Sequence, residues 1–185
     1  MYKQQQFGRS MIEMLGVLAI IGVLSVGGFG IVAKALNNQR YTQIMSNTAE
    51  LAASAKKMSC QFLDDGGYSD YGLFLYKSNK YPNNLTYLTS GDNAGSYRGV
   101  LDVTYKVETG SNGASSFKIT LKSVPTDLCM RMASDNWGTV RSTGFKELTV
   151  GDKTAHHLDM SEASSACIIG DNTITLSYIG CRQGM

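Results

Sequence analysis

Histidine is almost missing from this chain: there are two, the adjacent His156 and His157. The four cysteines, at 60, 129, 167 and 181, include no C-x-x-C pair. So few nitrogen ligands and no paired thiols do not suggest a zinc site, and an oxidising compartment with two disulfides fits better. Basic clusters are lacking too. Lys+Arg 17 against Asp+Glu 15 leaves a net charge of +2, without the concentrated runs that neutralise phosphates, so no nucleic-acid partner is expected. No Gly-x-Ser-x-Gly elbow places Ser, His and Asp together, so neither catalysis nor a cofactor is expected. Internal repeats and low-complexity tracts are absent. What is present is 43% hydrophobic content over 185 residues, enough for one domain with an ordinary core plus a terminal helix.

The longest gap of all is in charge. Residues 14–33 carry no ionisable side chain. About twenty helical residues at ~1.5 Å each span the ~30 Å hydrocarbon core of a bilayer. A secretory signal peptide would have a shorter apolar stretch behind a basic start, with a small-residue cleavage site after it. Here only a short polar segment ending in Gly8 precedes the run, and Glu13 stands at its mouth. A carboxylate there is costly unless paired. An ordinary single-pass anchor of a periplasmic binding protein has no use for it.

Further along, Ile44, Thr48, Leu51, Ala55, Met58 and Phe62 repeat at three- and four-residue steps, the spacing of one dry helical face. The simplest reading is a single helix from about Ser10 to Phe62, ended by Asp64, Asp65, Gly66 and Gly67. Leu101, Val103, Tyr105 and Val107 alternate with polar residues, as do Phe117, Ile119 and Leu121, and the residues between 109 and 113 have turn chemistry, so an antiparallel hairpin is expected. Helices are expected from Pro125 to about Ser134 and from Met160 to Cys167, and a last strand over residues 173–178. The dry helix face is the natural cover for such a sheet, which makes the fold class α+β. Trp137 reads as a packing anchor of this head. His156 and His157 read as a solvated loop. Asp64, Asp65 and Asp70 could ligate Ca²⁺, but their spacing is not that of an EF-hand and equally describes a helix-ending turn, so no metal is expected.

The interval from Gly8 to Glu13, set just before the apolar run, resembles the processing site of the type IV prepilin and pseudopilin superfamily. The resemblance implies cutting after Gly8 by prepilin peptidase, so that Arg9 becomes the first mature residue and Glu13 the fifth. It also implies that Glu13 pairs with the free, usually methylated amine of a neighbouring subunit, here the amine of Arg9. Arg9 replaces the Phe, Met or Leu usual at that place. The kinking Pro of one branch is missing as well, and Gly27, Gly28 and Gly30 stand there instead, each lowering helix stability by about 1 kcal/mol relative to Ala. Local melting in a filament is expected at that point. Residues 1–8 would be the leader, 9–33 the membrane or filament-core helix, and 34–185 the amphipathic half-helix plus head.

Tyr81 to Leu88 is similar to the short turn-helix of pilin-like heads. Leu128 to Ala133, followed by a variable middle, Ala163 to Cys167 and a closing strand, resembles the C-terminal half of type IVb pilins. Four cysteines allow three pairings, and the residues alone do not choose among these or four free thiols. The resemblance implies Cys129 with Cys167, leaving Cys60 for Cys181; pairing Cys167 with Cys181 and Cys60 with Cys129 is the competitor. Implied as a whole is a filament subunit for adhesion, aggregation, conjugation or motility. It would start in the bacterial inner membrane with its peptidase and assembly platform, and end in an extracellular pilus. The alternative within the superfamily is a periplasmic type II secretion pseudopilin.

Overall fold

The structure is a computed structural model that describes residues 7–61, 70–110 and 113–180; for residues 7–10, 12, 23–31, 61 and 113–115 it describes the backbone alone. The chain divides into two units, Met1–Tyr41 and Thr42–Met185. A single helix, α1 (Phe7–Gln61), contributes to both. Its observed limits differ from the expected ones by a few residues at the start, and the acidic and glycine stop signal at 64–67 lies outside the described residues. The helix is unbroken through Gly27, Gly28 and Gly30.

In the first unit, helix formation follows from the run of Leu, Ile, Val, Met and Ala, but little is covered. Met11, Met14, Leu15, Leu18, Ile20 and Ile21 each expose more than half of their surface. In the second unit the same helix turns amphipathic, and Ile44, Thr48, Leu51, Ala55 and Met58 are buried along one face. The polar member of that stripe is satisfied within the helix, since Thr48 Oγ1 donates to the Ile44 carbonyl at 2.8 Å.

The rest of the second unit is built on a fully antiparallel sheet, in chain order β1 (Thr86–Tyr87), β2 (Tyr97–Arg98), β3 (Thr104–Gly110), β4 (Gly113–Pro125), β5 (Phe145–Val150), β6 (Lys153–Ala155) and β7 (Asp171–Ile179). Across the sheet the order is β1-β2-β3-β4-β7-β5-β6, so the last strand lies between β4 and β5. This register lines up three apolar rows through β7: Phe117, Tyr178 and Phe145; Ile119, Leu176 and Leu148; Leu121, Ile174 and Val150. All nine side chains are buried. In the first row the Phe117 and Tyr178 rings stack at 5.0 Å and Phe145 meets Tyr178 edge-on at 5.6 Å.

Three short helices border the sheet: α2 (Tyr71–Lys77), α3 (Thr126–Ala133) and α4 (Met160–Ala166). Asp70 caps α2 by accepting from the Leu73 amide at 2.9 Å. Asp159 and Glu162 close a capping box on α4. The expected hairpin is present as β3 and β4, with one change: Leu101 lies in a 3₁₀ turn (Val100–Asp102) at φ 57°, so the strand opens only at Thr104. The expected turn-helix over 81–88 is not formed. The Leu85 amide donates to the Pro82 carbonyl at 3.0 Å to close a turn, and Thr86 and Tyr87 then pair with Arg98 and Tyr97 as an edge strand. Strand pairing satisfies those backbone groups where a single helical turn would leave most of them open.

Candidate assembly interface

Gly8 and Arg9 fall in the first turn of α1, and Glu13 follows within the next turn with its side chain exposed. Beyond Glu13, the exposed Met14, Leu15, Val17, Leu18, Ile20 and Ile21 leave the helix surface apolar and uncovered. Large apolar side chains in contact over several turns mark a surface that is finished by lipid or by other protein. Among the described residues no helix is long and apolar enough to cross a membrane; the side chains of residues 23–31, the middle of the apolar run, are not among them.

At the other end of the chain a disulfide joins Cys129 on α3 to Cys167 at the C-cap of α4, with Cα atoms 5.9 Å apart and a separation of 38 residues. This is the pairing that the type IVb resemblance implied. It removes the competitor in which Cys129 bonds Cys60. Cys60 is itself disulfide-bonded, so the free-thiol reading falls as well, while Cys181 lies outside the described residues. The staple encloses Trp137, whose indole Nε1–H donates to the Met132 carbonyl at 2.9 Å and whose ring lies 6.3 Å from Phe145, the packing role expected of it.

The remaining candidates resolve as structural parts. The exposed His156 sets its ring edge-on to Phe145 at 5.1 Å. Asp70 is occupied in capping α2, Asp64 and Asp65 lie outside the described residues, and no metal-holding group of His, Cys, Asp or Glu occurs among the described residues. Sequence reasoning missed Asn172, a 5% exposed amide that bonds four backbone groups around the end of α4. Asn172 sits on the inward-facing step of β7, in phase with Ile174 and Leu176, but as a polar residue in a polar stretch it gave no signal. It also missed a small apolar pocket between Ala49, Ala53 and Trp137, which joins residues distant in sequence.

A long helix, uncovered in front and packed behind on an antiparallel sheet with a disulfide-stapled C-terminal part, defines the pilin class of fold. A crystal structure of a type IVb pilin from Salmonella typhi shares it, with a TM-score of 0.54 and 18% identity over 77% of this chain and 99% of that one. No curated protein matches the chain significantly. The family described as PilS N terminal matches residues 38–178, and the chain belongs to that family.

Proposed function

We propose that this chain is a structural subunit of a type IV pilus, assembling with copies of itself into an extracellular filament and carrying out no chemistry. The observation that carries this reading is the apolar, uncovered front of α1 with Glu13 at its mouth. Before assembly the helix rests in the inner membrane, where the prepilin peptidase cuts after Gly8. The assembly platform then moves it from lipid into a bundle of like helices, held by close packing in which the loss of lipid contact is small. Glu13, otherwise costly in that bundle, is neutralised by the new amine of Arg9 on the adjoining copy. The same pairing sets the step between subunits. Gly27, Gly28 and Gly30 allow the helix to loosen where packing in the filament demands it.

Electron microscopy of the cell surface, with mass spectrometry of the sheared material, tests the reading. Filaments whose subunit begins at Arg9 are the expected result. A full-length chain that remains single in the membrane would overturn it.

A further inference from the structure

We infer that successive subunits also join through their heads, an isoleucine knob on one copy entering an apolar pocket at the opposite end of the head on the next. The inference rests on the filament reading above and assigns the pocket one occupant, a second copy of this chain.

The knob is the loop between α4 and β7. Ile169 is 98% exposed and its neighbour Ile168 64% exposed. Leaving two adjacent isoleucines in water forgoes a favourable transfer, and a flexible loop would fold them inward. This loop is fixed instead. Asn172 Oδ1 accepts from the Ile168 amide at 2.8 Å, and its Nδ2 donates to the carbonyls of Ile168 at 3.0 Å and Gly170 at 3.1 Å. Thr126 Oγ1 donates to the Ile168 carbonyl at 2.8 Å and accepts from the Gly170 amide at 3.0 Å. Cys167, next in line, is tied to Cys129. Both isoleucines therefore project from a backbone whose ordering cost is already met, the condition under which a small apolar contact gives useful affinity.

The pocket, of about 260 Å³, lies among Ala49, Ala52, Ala53, Lys56, Trp137 and Tyr178. Alanine on three helical positions leaves the space that larger side chains would fill, and buried Trp137 and Tyr178 supply apolar walls. It has room for an isoleucine side chain, and its lining is mainly apolar. The two features mark the ends of one strand: the knob directly precedes β7, and Tyr178 closes it. Nine residues at ~3.4 Å each put them about 30 Å apart. A head-to-tail contact between these unlike surfaces adds copies in one direction and, where its rotation does not close a ring, gives an open filament.

The test uses the full chain assembled in its cell. Ile169→p-benzoylphenylalanine, irradiated in sheared filaments, should cross-link to residues around Ala53 or Trp137 of another copy, read by mass spectrometry of the joined peptides. Cross-links to any other surface of the chain, to a different protein, or none at all from intact filaments would overturn the contact. Ile169→Asp should leave the amount of membrane-held subunit and its melting unchanged while cutting filament yield at least tenfold, and Ile169→Leu should restore it. Normal filaments from Ile169→Asp would also overturn it. Absence of filaments from the unaltered chain would instead remove the filament reading on which the contact rests.

Discussion

Gly144 and Ile179 meet where β5 begins and β7 ends: the Ile179 amide donates to the Gly144 carbonyl at 2.7 Å, and a Cβ on Gly144 would stand 2.6 Å from the Ile179 carbonyl oxygen. Gly144 is also at φ +84°. Both the backbone angle and the space require glycine. Gly144→Ala is expected to cost about 2–3 kcal/mol, since an L residue there is strained and the neighbour that must give way is backbone. Urea unfolding of the purified protein measures it, and a loss below about 0.5 kcal/mol would show that the strand ends can separate freely.

The Cys129–Cys167 bridge closes a 38-residue span. Chain entropy alone gives about 4 kcal/mol as the ceiling for its contribution. Cys129→Ser combined with Cys167→Ser should lower thermal stability accordingly and make the melting of the head insensitive to this bond under reductant. Unchanged melting would mean that α3 and α4 hold each other without it.

At the front of α1 the two proposed roles separate by variant. Gly8→Trp should accumulate an uncut precursor in the membrane fraction, seen as a heavier band with no filaments. Glu13→Val should be cut normally and yet yield few or no filaments. Abundant filaments from Glu13→Val would end the pairing mechanism while leaving the cleavage site intact.

Alkaline titration probes the core. Burial raises the phenol of Tyr97 and that of Tyr178, and pushes Tyr105 up to about 12. Each folded value lies above the ordinary 10.0, so the neutral phenols stabilise the head fully below pH 10, and that stabilisation is lost as pH rises beyond it. Ultraviolet difference absorbance should show Tyr97, Tyr105 and Tyr178 ionising late, in a separate step that coincides with loss of strand structure. A single smooth titration would mean the sheet core is open to hydroxide.

Much of this architecture was readable because the periodicity is strong where elements are long. The dry stripe from Ile44 to Met58, the alternation on β3, β4 and β7, Pro125 ahead of α3 and the residues of α4 all appear as expected. Failures have local causes. In β5, residues 145–150, the alternation is broken by a register shift between Phe145 and Glu147, which hides the strand from a period-two reading. Helix α2 holds two tyrosines, a phenylalanine and Gly72 in seven residues, a poor set of helix formers. It forms because tertiary contacts override propensity: Tyr97 Oη donates to the Gly72 carbonyl at 2.6 Å, and a Cβ at 72 would approach the Gly95 carbonyl to 3.0 Å. Over 81–88, Pro82 suits the start of a helix as well as a turn, and only the strand brought alongside by residues 97–98 decides between them. The apolar, uncovered front of α1 was legible as a gap in charge. The pocket beside Ala53 was not, because cavities are made by what neighbouring elements fail to fill.

The placement of β7 has a consequence for how the head is made. A chain leaving the ribosome, or drawn across a membrane, delivers its strands in order, yet an interior position of the sheet, between β4 and β5, is reserved for the final one. Until it arrives, β4 and β5 have no common neighbour and their apolar rows stay open, so the two halves cannot settle early. Assembly of the head is therefore a single late event, and a stop codon a dozen residues before residue 180 would leave two loose edges rather than a slightly shorter protein.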